Sequence, residues 1–244
     1  MKNHKKPITM LAQPDDVTCG PTCLQAIYHF YGDTISLNQV IAEVEYLETG
    51  GTLAVLLGLH AISRGYEVTI NVLDLEIFDP TWFVHETNLI EKLEAQMMYK
   101  KSRKLQLASK AYIKFLKLGG KVISKDISSR FLKESFEKYG PVLSGLSSTY
   151  LYRCSRDLTD ENDVSHPDDI RGVHSGHFVV LNGYCRSSKK VLVADPYSKN
   201  PHETLYYEVR ISRLINAILL GELTYDANLL FIKPKKNQGD LCEI

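Results

Sequence analysis

Cysteine and tryptophan are scarce in this 244-residue chain, with five of the first and one of the second. The cysteines (Cys19, Cys23, Cys154, Cys185 and Cys242) are odd in number and scattered. That excludes a disulfide scaffold and points to a reducing compartment, the cytoplasm. An excess of one charge is missing too: Lys plus Arg and Asp plus Glu stand at 29 each. No global field therefore draws the chain to nucleic acid or to an acidic membrane. No apolar run approaches the ~20 residues of a membrane span; the longest, Leu53–Ile62, contains His60. Lys2, His4, Lys5 and Lys6 imitate the start of a signal peptide, but the apolar stretch behind them, Pro7–Ala12, is too short. The chain also lacks a Gly-x-x-x-x-Gly-Lys-Ser/Thr phosphate loop, a Cys-x-x-Cys pair, a calcium-loop order of acids and any internal repeat. No metal and no cofactor is expected.

At 44% hydrophobic and 24% charged residues, the composition is that of a globular protein with one substantial core. Helical spacing runs from Cys19 to Tyr31. It returns from Leu37 to Leu47 behind a Ser36 cap, ending at Gly50-Gly51, and again from Thr52 to Arg64 before a strand Tyr66–Leu73. The texture then changes. Glu86 to Leu118 is predicted as one broken helix or two, within a helical insertion at about 76–125 of a single domain. A helix Ser128–Tyr139 and a strand Val142–Leu146 follow. Toward the end come a hairpin, a strand Thr204–Val209, a helix Ser212–Leu220 and a strand Asn228–Ile232. Helices first and an antiparallel sheet later make an α+β fold. Lys100, Lys101, Arg103 and Lys104 read as the solvated joint of the insertion. The polar stretch 153–176, with Asp157, Asp160, Glu161, Asp163, Asp168 and Asp169, reads as a solvated loop, or else as a lid or a docking surface for a basic substrate.

The chemistry concentrates in Gln13-Pro14-Asp15-Asp16-Val17-Thr18-Cys19-Gly20-Pro21. Pro21 suits a first helical turn, so Cys19 stands at a helix N-terminus among unpaired N–H groups and the positive end of the macrodipole. That setting favours thiolate, the nucleophilic form. Gln13 is close enough to fold its amide back beside the sulfur, which with the Cys19 N–H makes two donors for an oxyanion. A cysteine at the start of an amphipathic helix is ordinarily a core residue. Cys19 and Cys23, four apart, match neither zinc nor redox spacing. Only a base elsewhere in the chain decides between core and catalyst.

His177–Tyr184 and Val191–Asp195 read as an antiparallel hairpin around a polar turn, Cys185–Lys190. A turn centred on Arg186 sets His177 opposite Asp195, Val179 opposite Val193 and Leu181 opposite Val191, all on one face. Directly opposed side chains lie ~5 Å apart at Cβ, so Asp195 can orient one ring nitrogen of His177 and leave the other for a thiol. His174 is the competing base, three residues upstream.

Gln13…Cys19-Gly20-Pro21, Gly176-His177-Phe178-Val179-Val180-Leu181 and Ala194-Asp195-Pro196 together resemble the papain-like cysteine peptidases. The resemblance is greatest to the bacteriocin-processing, double-glycine leader peptidases and their stand-alone relatives. Gly51-Thr52-Leu53, Leu57–Tyr66 and Tyr139–Leu143 are similar to further segments of that family. The resemblance implies a papain-like fold, N-terminal helices packed on a C-terminal antiparallel sheet. It also implies roles: Cys19 as nucleophile, His177 as general base and acid, Asp195 as orienter and Gln13 as oxyanion donor, acting on a peptide or amide substrate. With neither a phosphate loop nor a membrane span, no attached exporter is expected. The same thioester can pass to an amine or thiol, as in phytochelatin-synthase-like acyltransferases, or the fold can serve as a non-catalytic binding module. Nothing in the sequence sets the substrate or the oligomeric state.

Overall fold

The computed structural model describes residues 8–48, 50–85, 87–161, 164–224 and 227–235. Lys2, His4, Lys5, Lys6, Pro7, Glu86, Asp163 and Cys242 lie outside them. Helix α1 spans Cys19–Phe30 and carries Pro21 in its first turn. Ser36 caps α2 (Leu37–Glu43) by accepting the Gln39 N–H at 3.2 Å. The helix stops there rather than at Gly50-Gly51. Val44 is already extended, and the Leu47 N–H goes to the Gly51 carbonyl, closing a loop in place of another turn. Helix α3 (Ala54–Ser63) leads into β1 (Tyr66–Val72).

The expected broken helix is two. α4 (Leu89–Tyr99) is capped by Asn88, α5 spans Arg103–Lys117, and the basic residues lie at the joint and at the start of α5. A short strand β2 (Lys121–Ile123) follows, then α6 (Ser129–Tyr139), whose Ser128 cap accepts the Phe131 N–H, and β3 (Val142–Ser147). Helix α7 (Ser148–Tyr152) is a single turn or so. The acidic stretch is not plain loop: β4 (Asp157–Thr159) and β5 (Ser165–Pro167) pair within it. Among the described residues β6 (Gly176–Cys185), β7 (Lys190–Ala194), β8 (Tyr206–Arg210), α8 (Ile211–Leu220) and β9 (Asn228–Pro234) follow.

Seven strands form one sheet in the order β2-β1-β9-β3-β6-β7-β8. Every pairing in it is antiparallel except β1 with β2. Alternation along β6 sorts the core into two layers. Phe178 and Val180 pack with α1, α3 and α5, while Val179 and Leu181 pack with α6 and α8. Among the described residues no helix is long and apolar enough to cross a membrane.

The hairpin register differs from the expected one. Leu181 faces Val193 and Tyr184 faces Val191, because the turn closes on the Cys185–Lys190 pair and a bulge interrupts β6 between Leu181 and Tyr184. Gly183 sits in that bulge at φ +114°, a backbone conformation that a side chain would strain. Continued past Val180–Ala194, this register puts Asp195 opposite Val179, two residues from His177. The displacement is even, so both side chains keep the same face of the sheet.

Candidate active site

Cys19 is the first residue of α1 and His177 the second of β6. α1 packs on one face of the sheet, whereas His177 shares the strand parity of Val179, which packs on the other. They can meet because each lies at the end of its element, where the sheet no longer separates the faces. Cys23 fixes that meeting. It is buried one turn along α1 from Cys19, and its Sγ lies 3.2 Å from the carbonyl oxygen of Phe178, the residue after His177. Burial, with Cys19 and Asp195 nearby, pushes its thiol well above the ordinary range, so Cys23 is an inert peg. Gly20 permits the close seating of α1 on the segment before α3: a Cβ there would come within 2.7 Å of the Thr52 methyl.

Cys19 and His177 line one cleft of about 200 Å³ with Asp16, Val17, Thr52 and Lys104. The imidazole is buried, its Nε2 is 2.9 Å from Asp195 Oδ1, and the Cys19 thiol is near enough to raise the ring's basicity. Burial alone would make the ring a weaker base. The Asp195 charge and hydrogen bond, aided by Cys19, reverse this and push His177 up to about 10, so it is an imidazolium at neutral pH.

Asp195 is wholly buried yet charged. Burial favours its acid form, but His177 and two phenols hold the carboxyl below its usual range. Oδ1 also accepts the Tyr197 N–H at 2.9 Å, and Oδ2 accepts the hydroxyls of Tyr152 and Tyr207 at 2.7 and 2.6 Å.

Gln13 is beside this cluster by its backbone: its N–H donates to the carbonyl of Pro196, the residue after Asp195, at 2.9 Å. Its side-chain amide donates to the Asp15 carbonyl at 2.7 Å, and Oε1 is buried without a partner. One amide hydrogen thus fixes the side chain, and the second is left for another acceptor. His174, the rival base, is not among the cleft-lining residues. Sequence reasoning missed Tyr152, Tyr207 and Lys104. The tyrosines come from α7 and β8, and no local pattern ties them to Asp195. Lys104 looked like part of a solvated joint, yet it lines the cleft from the first turn of α5, beside the Arg103–Glu48 ion pair. Among the described residues no cluster of three or more His, Cys, Asp or Glu is placed to hold a metal ion.

Among solved structures, the chain is similar to one described as a C39-like peptidase from Bacillus anthracis. Identity is 13%, coverage is 94% of this chain and 96% of the other, and the TM-score is 0.50. Two further similar structures are the peptidase domain of Streptococcus ComA, a bifunctional ABC transporter, and xylellain, a cysteine protease from Xylella fastidiosa. The first has 12% identity, 94% and 100% coverage and a TM-score of 0.45. The second has 14% identity, 94% and 84% coverage and a TM-score of 0.42. No protein-family model and no curated protein matches the chain. At these identities the likeness is one of fold, and the fold is the α+β papain-like one.

Proposed function

We propose, with that fold as the premise, that the chain is a cysteine-type peptidase or amidase working through a Cys19 thioester. One observation carries this reading: a thiol and an imidazole line one cleft, and behind them the ring's Nε2 lies 2.9 Å from a fully buried carboxylate. A core histidine has no need of both a sealed anion and a thiol.

In the reaction we infer, the His177 imidazolium holds Cys19 as its ion-pair partner, and Sγ attacks the substrate carbonyl carbon. The oxygen gains negative charge and is received by the Cys19 N–H and the second Gln13 amide hydrogen. Collapse breaks the C–N bond, and His177 gives its proton to the leaving amine. Neutral His177 then takes a proton from water as the hydroxyl adds to the thioester. The acid leaves, and the thiolate and imidazolium return. Asp195 acts throughout by orienting the ring. Residues 76–125 we take as an insertion in a single domain; it carries α5, and with it Lys104, to the cleft. Because Sγ must be free, we assign the protein to a reducing compartment such as the cytoplasm.

A peptide vinyl-sulfone library followed by mass spectrometry tests the proposal. The expected result is one adduct, on Cys19, and a peptide hydrolysis that Cys19→Ala abolishes while the fold persists. Turnover that survives Cys19→Ala, or an adduct only on another cysteine, overturns it.

A further inference from the structure

A carboxylate offers about four acceptor sites, and the fully buried Asp195 has a donor at each. His177 and the Tyr197 N–H take Oδ1, and the hydroxyls of Tyr152 and Tyr207 take Oδ2. The two phenols arrive from different elements, the last residue of α7 and the second residue of β8. Phenylalanine would fill either place if packing alone were at stake, and a buried hydroxyl is a burden unless it is bonded. Both hydroxyls instead converge on the one oxygen that His177 does not use.

We propose that Tyr152 and Tyr207 are positioning residues of the Cys19 site, whose hydroxyls grip Oδ2 of Asp195 and thereby aim Oδ1 at His177. This goes beyond the proposed mechanism, which asks only that an orienting carboxylate exist, and it rests on Cys19 being the nucleophile. Two consequences follow. The grip fixes the carboxylate plane, so the imidazole cannot swing away from the thiol. It also keeps Asp195 ionised in a dry site, because hydrogen bonds to the charged form favour that form. Burial and the Asp195 charge hold both phenols in their protonated, donating state, well above the ordinary tyrosine range. The ionisable groups around the carboxylate are His177 on β6, Tyr152 on α7, Tyr207 on β8, Tyr197 beyond β7, and Cys19 and Cys23 on α1. Of these, His177 is the cation and the phenols and Cys23 stay neutral through the working range.

The probe is iodoacetamide, with alkylation of Cys19 followed by mass spectrometry from pH 4 to 9. It is applied to the full chain and to Tyr152→Phe, Tyr207→Phe and the double variant. Each lost hydroxyl makes Asp195 easier to protonate. The acid limb of the Cys19 profile should therefore move up by about one pH unit, tenfold in proton affinity, and further in the double variant. Thermal midpoints taken alongside keep a structural effect separate. Profiles superimposed on that of the parent protein overturn the proposal, whatever happens to the midpoints. If the double variant does not fold, the single variants decide. If the parent protein itself shows no alkylation of Cys19 that His177→Gln slows, it is the nucleophile assignment that has failed, not the role of the tyrosines.

Discussion

Two buried imidazoles in this molecule face a carboxylate through Nε2, and they are held in opposite states. His177 meets Asp195 at 2.9 Å and is pushed up to about 10. His60, on α3, meets Glu43 at 3.1 Å, offers Nδ1 to the Tyr28 hydroxyl at 2.8 Å, and sits below its ordinary value. Burial weakens both bases. The difference lies in the acids: the Asp195 side chain is 0% exposed and that of Glu43 44%. A carboxylate in water is screened, and its field at the ring is too weak to offset desolvation. A sealed one with four donors wins. A neutral His60 thus links the Tyr28 hydroxyl to the Glu43 carboxylate and joins α1, α2 and α3, while His177 and Asp195 make an ion pair behind the cleft. A histidine beside an acid is not by itself a catalytic sign; the acid's burial decides.

The contrast breaks most visibly in activity. His177→Gln should lower turnover about 10²–10⁴-fold, the usual range for losing a general base. His60→Gln should leave turnover within about twofold, measured on whatever peptide the library experiment selects. In stability the histidines should be closer, but their acids should not. Asp195→Ala strips the pair and both phenols of their partner and should cost about 3–5 kcal/mol in urea unfolding. Glu43→Ala should shift the midpoint far less.

The pH dependence should also run in opposite directions. His177 binds its proton more tightly folded than unfolded. Its contribution is complete below about 6.5, the unfolded value, and is lost as pH rises through about 10. His60 is depressed, so its contribution holds above about 6.5 and fades as pH falls below that value. Urea midpoints from pH 5 to 10 should therefore bring His177→Gln nearer the parent protein at the alkaline end and His60→Gln nearer at the acid end. The smallest effect belongs to the peg: Cys23→Ala should cost about 1 kcal/mol and slow turnover only through a looser α1.

What the residues disclosed in advance follows the range of the forces involved. α1 and its leading thiol were legible because Pro21, the apolar spacing and the break after Tyr31 are all local. The pairing of His177 with Asp195 was legible in its face but not in its register. Parity survives an even displacement, whereas the bulge at Gly183 depends on how β6 bends against its neighbours. α2 was drawn too long because Val44 and Leu47 keep helical spacing while burying themselves from a loop that Gly50 and Gly51 close. The partners of Asp195 Oδ2 were not legible at all. Tyr152 lies 43 residues before it and Tyr207 12 after, and only the folded sheet and α7 bring them together. Gln13 was expected as a donor to the oxyanion, and one of its amide hydrogens is already held by Asp15.

The central claim is that Cys19, His177 and Asp195 act as one chemical unit. Iodoacetamide rates at neutral pH, read cysteine by cysteine in the parent protein, His177→Gln, Asp195→Asn and the double variant, test it most directly. Cys185 supplies an internal standard: hydrogen bonds from the Ser187 and Ser188 side chains lower this exposed thiol to about 7, with no histidine involved. The expected result is that each single substitution slows Cys19 at least tenfold, that the double variant is no slower than the worse single one, and that Cys185 does not change. Cys19 rates that ignore both substitutions, or that fall by independent factors in the double variant, would contradict the account.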